Sequence, residues 1–198
     1  MTALKAKRIR RTPETMRKLI LDMTERLMLD EGYAAVSTRR VAQELNINGA
    51  TVHYYFATTD DLFAALHRRM TSDHLEGLKA VLGSSSPLEA LWTYQAETDQ
   101  SALGIEFFAL SNHRKTMRPV LAAVANEARQ AQAEALAPVI ASLGLDSKLL
   151  PPVALATMVV AITRTLKNEE RVGITCGHEE VRAFCEHLLR NLPAADHR

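Results

Sequence analysis

The sequence predicts an all-α chain of about nine helices, a small three-helix N-terminal unit followed by a larger helical bundle. Three observations carry this. Ala and Leu are abundant while β-branched runs are scarce, a balance that suits helices better than strands. Apolar residues recur at helical offsets, and no segment alternates with the period of a strand. With 47% hydrophobic residues and 5% aromatic ones, the 198 residues can bury a core without disulfides or metal.

Taken in order, residues 1–11 (MTALKAKRIRR) hold five basic residues, no acid and no apolar period. The segment 1–12 therefore reads as a basic flexible arm, either a polyanion-binding device or a solubilising tail. Thr12-Pro13-Glu14 starts a helix, with Thr12 as N-cap and Pro13 at the first helical position. Met16, Leu19, Ile20, Met23 and Leu27 form its apolar stripe, and Gly32 closes it. Ser37 starts a short helix carrying Val41 and Leu45 on one face. Leu45-Asn46-Ile47 interrupts it, and Asn48 caps a second short helix over about 49–54. Thr58-Thr59-Asp60-Asp61 has capping-box form and opens a helix with Leu62, Phe63, Leu66 and Met70 that runs to about 82.

Gly83-Ser84-Ser85-Ser86-Pro87 is the clearest break, and Ser86-Pro87-Leu88-Glu89 is a further capping box. Helices follow at about 87–101, 102–113, 116–142, 152–171 and 178–191, with Gly144, Gly173 and Gly177 at joints. Pro138 predicts a kink in the third of these. The organisation is thus an arm over 1–12, a helix-turn-helix unit over 13–58, a connecting helix over 59–82 and a second domain over 83–198.

The net charge of +1 hides an asymmetry. Residues 1–72 carry 12 Lys and Arg against 8 Asp and Glu, whereas 73–198 carry 12 against 15. A basic N-terminal third suits a local polyanion-binding surface, although solvated helix faces show such differences too. Two cysteines, Cys176 and Cys185, are too few for a disulfide framework. No basic flank followed by an apolar h-region opens the chain, and no apolar run reaches membrane-spanning length. A cytoplasmic protein away from the membrane is expected.

Residues 37–56 (STRRVAQELNINGATVHYYF) carry the chemistry. Two short helices joined by three or four residues form a helix-turn-helix, with Asn46 tolerating the left-handed turn. Val41, Leu45, Ile47, Val52 and Phe56 are spaced to pack the pair. Small Gly49 and Ala50 let the second helix approach a groove floor closely. Such a helix enters the major groove N-terminus first. Asn48 and Thr51 are then placed for bases or phosphates, and His53, Tyr54 and Tyr55 for phosphate oxygens. Thr38, Arg39 and Gly49 complete the candidate DNA-binding set. An ordinary αα-corner fits the same spacing.

Over 19–66 the run helix, Gly32-Tyr33, Ser37-Thr38, helix, turn, Thr51-Val52-His53-Tyr54-Tyr55-Phe56, Thr58-Thr59-Asp60-Asp61-Leu62-Phe63 resembles the DNA-binding domain of the TetR (tetracycline-repressor) family. Val41-Ala42 and Ile47-Asn48 also sit where that family has like residues. The resemblance implies a homodimer on a palindromic double-stranded DNA operator, with paired helices in successive major grooves and a divergent effector domain. Three positions depart from it. Asn46 replaces the usual turn glycine, His53 stands where a phosphate-contacting tyrosine is usual, and Thr59 stands where a lysine often anchors the backbone. Lys5, Lys7, Arg8, Arg10 and Arg11 of the arm can compensate for that lost charge.

Trp92, Tyr94, Phe107, Phe108, Met117 and Met158 suit plain core or a cavity, and the resemblance favours the cavity. Trp92, Phe107, Phe108, His113 and Met158 are the candidate ligand residues, His113 and Arg114 being available to orient a polar group. An apolar or amphipathic small molecule is the expected effector. On the last two helices Met158, Ile162, Val181, Phe184 and Leu188 fit either core or the four-helix dimer interface that the resemblance implies. Cys176-x-His178 and Cys185-x-His187 mimic a repeated metal motif, but His187 points away from Cys185 on a helix, so no metal is expected. No cofactor is expected either, since no phosphate loop, nucleophile elbow or paired-carboxylate motif appears. The expected protein is a ligand-responsive DNA-binding regulator, a repressor rather than an enzyme. The alternative is a small-molecule-binding module of the same fold with weak or no DNA binding, and a third class is an all-α enzyme around His113.

Overall fold

The computed structural model describes residues 12–98 and 101–192, so the basic arm at 1–11 lies outside the described residues. Among those described, the regular elements are all helices. They are α1 (Pro13–Glu31), a 3-10 turn (Tyr33–Ala35), α2 (Thr38–Glu44), α3 (Gly49–Tyr55), α4 (Thr59–Leu82), α5 (Pro87–Glu97), α6 (Ser101–His113), α7 (Met117–Ser142), α8 (Pro152–Glu170) and α9 (His178–Arg190). The described residues form two compact units divided between Leu66 and His67, a boundary that falls inside α4.

In the first unit the helix ends follow the sequence signals closely. Thr12, extended at ψ 157°, accepts from the Thr15 amide, and Pro13 occupies a position that needs no amide donor. Gly32 ends α1 at φ 82° and ψ 163°, a conformation closed to residues with a Cβ. Ser37 caps α2 by accepting from the Arg40 amide at 3.0 Å. Asn46 turns the chain at φ 51°, the one positive φ outside glycine among the described residues. Asn48 then caps α3, its Oδ1 accepting from the Ala50 amide at 2.9 Å. Ile20, Met28, Val41, Val52 and Leu62 are fully buried, α2 packing on α1 and on α3. Thr24 falls within the buried stripe of α1, where its hydroxyl donates to the Ile20 carbonyl at 2.7 Å. At the head of α4 the capping box is reciprocal: the Thr58 amide donates to Asp61 Oδ2 (2.9 Å) and the Asp61 amide to Thr58 Oγ1 (3.1 Å).

The second unit packs α7 against α8, α5 against α8 and α9, and α6 against α7 and α8. Its core gathers Leu78 of α4, Leu91 and Trp92 of α5, Leu136 and Ile140 of α7, Leu155 and Val159 of α8, and Cys185 of α9. Two details differ from the sequence expectation. The helix expected to reach about 101 stops at Glu97, because Thr98 leaves the helical region at ψ 116°. The expected capping box at Ser86 does not close. Ser86 stands at ψ 71°, away from the extended values of Thr12 and Ser37, and makes no side-chain cap bond. Glu89 instead accepts from Arg190 Nε of α9 at 2.7 Å. The helix α7 runs on through Pro138 as one element. Among the described residues no helix is long and apolar enough to cross a membrane.

Candidate nucleic-acid interface and ligand cavity

α3 buries Val52 and leaves its opposite side outward. Tyr54 is 81% exposed, and the ring of Tyr55 meets it edge-on at 5.0 Å. Asn48 is exposed and spends only its Oδ1 on the helix cap, while Thr51 is half-buried. A Cβ built on Gly49 would meet nothing within 4 Å, so the start of α3 faces open space. Arg39 is exposed at the start of α2. Its neighbour Arg40 is held within the unit by Glu31 (2.9 Å) and Glu44 (3.0 Å), which separates the two adjacent arginines by role.

Thr38 and His53 occupy a different position from the other candidates. Thr38 is buried, and its hydroxyl lies 3.4 Å from His53 Nε2, while His53 Nδ1 lies 3.1 Å from the Ala57 carbonyl. A carbonyl can only accept, so Nδ1 donates to it, and Nε2 pairs with the Thr38 hydroxyl. Both nitrogens are therefore engaged inside the unit, and the pair fastens the start of α2 to α3. No local pattern of residues announces this cross-link, nor the placing of Arg17, whose guanidinium lies 4.5 Å over the Phe56 ring.

The second unit holds a cavity of about 450 Å³. Each helix around it gives one face. His67, Met70, Thr71 and His74 come from α4 at helical spacing, and Phe107 and Phe108 from α6. Leu121, Ala125, Arg129 and Gln132 share a face of α7; Val160, Arg164 and Lys167 share one of α8. The wall is polar where the helices approach. Gln95 Nε2 donates to His74 Nε2 at 2.8 Å, which leaves the imidazole proton on Nδ1. The Tyr94 hydroxyl donates to the His74 carbonyl at 3.0 Å, and the His67 ring packs edge-on to Phe107 at 4.7 Å. Burial, with Arg164 next and Arg68 or Arg129 after it, pushes His67 and His74 down to about 4, so both are neutral near pH 7. Burial also lowers Arg129, and it lowers Arg164 together with the charge of Arg129.

Of the five candidate ligand residues, the cavity brings together Phe107 and Phe108. Trp92 is 4% exposed and lies in the apolar core with Leu91, Leu136 and Val159. Met158 is 57% exposed on α8, and His113 ends α6 on the surface; neither lines the cavity. The cavity's His67, His74, Gln95, Arg129, Gln132 and Arg164 were not picked out from sequence. A signal existed for the histidines, which extend the apolar stripe Phe63, Leu66, Met70 of α4 at helical spacing.

On α8 and α9, Met158, Val181, Phe184 and Leu188 are exposed, Phe184 at 62%, whereas Ile162 is half-buried against the core. Among the described residues no group of three His, Cys, Asp or Glu side chains is placed to hold a metal ion. His178 is instead buried against Glu169 at 2.8 Å, and Cys185 belongs to the core.

Residues 20–66 match the sequence family described as bacterial regulatory proteins, tetR family. Comparison with curated proteins gave no match. Among solved structures, a TetR transcriptional regulator from Legionella pneumophila superposes with a TM-score of 0.66 at 20% identity, over 90% of this chain and 98% of that one. A Saccharomonospora viridis protein solved in complex with choline gives 0.69 at 20% identity, over 90% and 97%. The multidrug binding protein EbrR, complexed with imidazole, gives 0.64 at 22% identity, over 92% and 97%. At these identities the likeness is one of fold.

Proposed function

We propose that the chain, whose residues 20–66 match the tetR family of bacterial regulatory proteins, is a ligand-responsive transcriptional repressor acting as a homodimer on a palindromic operator. The observation that carries this is α3. A seven-residue helix with one buried side, an open N-terminus at Gly49 and an outward Tyr54 has the build of a groove-reading helix. Arg39, Asn48, Thr51 and Tyr54 supply the contacts to bases and phosphates, with Tyr55 supporting Tyr54. Thr38 and His53 hold α2 and α3 in register.

The effector occupies the cavity of the second unit; the relatives solved with choline and with imidazole support a small-molecule role for the fold. α4 links the two events, since this one helix carries the Thr58–Asp61 cap at its head and the cavity face His67–His74 further along. A ligand that takes the protein from 99% to 1% operator-competent must prefer the released state by about 10⁴-fold, or roughly 5.5 kcal/mol.

The test is selection of bound fragments from a genomic library, followed by anisotropy titration of the recovered site. A palindrome with half-sites about one helical turn apart, or a multiple of it, is expected. Thr51→Ala and Tyr54→Ala should each weaken binding about tenfold without altering the circular dichroism melt. Recovery of no sequence above background would favour a second reading, a ligand-binding module that has given up DNA. The spent nitrogens of His53 and the uncharged Thr59 are what speak for that reading.

A further inference from the structure

We infer that the cavity of the second unit takes an amphipathic anion, its head group held by Arg129 and Arg164 and its apolar body laid along Phe107, Phe108 and Leu121. This rests on the reading of that cavity as the effector site and names the chemistry of the effector. Among the described residues, the charged groups lining the cavity are Arg118, Arg129, Arg164 and Lys167, with no Asp or Glu. They divide into two pairs. Arg118 Nε donates to the Ser111 carbonyl at 2.8 Å and Lys167 Nζ to the Glu97 carbonyl at 3.0 Å, so these two fasten helix ends.

Arg129 and Arg164 are placed otherwise. Arg129 Nη1 is buried and has no hydrogen-bond partner among the described residues. Arg164 lies 5.4 Å over the Phe108 ring, at the border between the polar and apolar walls. The two come from the packed helices α7 and α8; burial desolvates both, and the charge of Arg129 bears on Arg164. Guanidinium groups do not shed their proton, so burial cannot be relieved by neutralisation as it is for a lysine. An anion is the species that relieves both the desolvation and the mutual repulsion, and a planar or tetrahedral oxyanion matches the guanidinium fork.

The remaining polar atoms fit the same head group. His74 holds its proton on Nδ1, which is buried without a partner, and His74 itself is 9% exposed. It is thus a neutral donor beside the two arginines. The apolar side of the cavity, with Phe107, Leu121 and the alanines of α7, offers nothing to a second charge. A cation meets four like charges here, and a plain hydrocarbon leaves the arginines unmatched.

The experiment uses the full chain and four probes that share one alkyl tail: octanoate, octyl phosphate, octanol and octyltrimethylammonium. Calorimetric titration without DNA should show one or both anions binding at least about tenfold tighter than octanol, with the ammonium weakest. The carboxylate and phosphate arms tell which oxyanion is preferred. Arg129→Met and Arg164→Met should each weaken the preferred anion by about tenfold and leave octanol within a factor of about three. Both variants should also melt at higher temperature than wild type without ligand, because a desolvated like charge has gone.

Octanol or the ammonium binding as tightly as the anions overturns the assignment. So does the absence of anion binding at millimolar concentration, or anion affinity untouched by both substitutions. Lower melting of both ligand-free variants also counts against it, since each guanidinium would then have a counter-charge inside the fold. The regulatory reading is scored separately by operator anisotropy. Anions that bind yet leave DNA affinity unchanged defeat the regulator and spare the anion site. An effector of neutral or cationic class that releases DNA defeats the anion site and spares the regulator.

Discussion

His67 and His74 stand seven residues apart on α4, each less than a tenth exposed and each neutral near pH 7. Burial is the first cause, and Arg164, Arg68 and Arg129 are the charged groups that add to it. Their folded values, about 4, lie below the 6.5 of the unfolded chain. The unfolded state therefore binds more protons between those values, and stability is full above about pH 6.5 and falls as the pH drops toward 4. At pH 5 the loss is of order 2 kcal/mol for each imidazole. Urea melts at pH 7 and pH 5 should show this, and His67→Gln and His74→Gln should each remove a comparable share of the difference. An unchanged pH dependence in both variants would place the titrating groups elsewhere. The two histidines were legible as members of an apolar stripe, but the burial that keeps them neutral, and the charge of Arg164 that adds to it, come from other helices around the cavity. A neighbour about ninety positions away in the chain, as Arg164 is from His74, has no local signature.

At the scale of the element, helix ends were the most legible part of the molecule. Thr12, Ser37, Asn48 and Thr58 all cap as their side chains allow, because a cap is settled within three residues of sequence. The box expected at Ser86 stays open, and Glu89 answers to Arg190, a partner supplied by the last helix. Gly77 shows another long-range demand. It sits inside α4, where glycine costs about 1 kcal/mol relative to alanine. A Cβ there would lie 2.6 Å from Tyr94 Cζ and 2.8 Å from Cε2. The absent side chain lets the Tyr94 ring lie against α4 and its hydroxyl reach the His74 carbonyl. Gly77→Ala should consequently destabilise the protein by about 1–3 kcal/mol despite its better helix propensity. In a Tyr94→Ala background the same change should become stabilising by up to about 1 kcal/mol. A double-mutant cycle by denaturant melts reads the change of sign, and its absence would mean that α4 and α5 are not so closely packed.

For the molecule as a whole, fold class and element order followed from periodicity, whereas the division between cavity, core and outer surface did not. Trp92, Phe107 and Met158 share one chemistry and sit in core, cavity wall and solvent respectively. A stripe of apolar residues marks a face but not what covers it. On α9, Val181, Phe184 and Leu188 share such a face at 37%, 62% and 44% exposure, while Cys185 turns inward. Large apolar residues gathered in this way on one open helix face are of the kind that monomers rarely leave uncovered. A second copy of the chain is the expected cover, since a two-fold operator asks for a two-fold protein. In such an isologous interface every residue acts twice. Burying a phenylalanine is worth about 1.5–3 kcal/mol, so the symmetric pair contributes roughly twice that. Phe184→Glu removes both and sets two carboxylates within one apolar seam. The dimer dissociation constant should rise by at least about 100-fold, read by sedimentation across a dilution series. The monomer should keep its fold, because Phe184 is already exposed in the single chain and the core around Cys185 is untouched. Operator affinity should fall along with dimerisation and return at high protein concentration. A variant that sediments as a dimer at all dilutions would move the interface off α9 and leave this apolar face for some other partner.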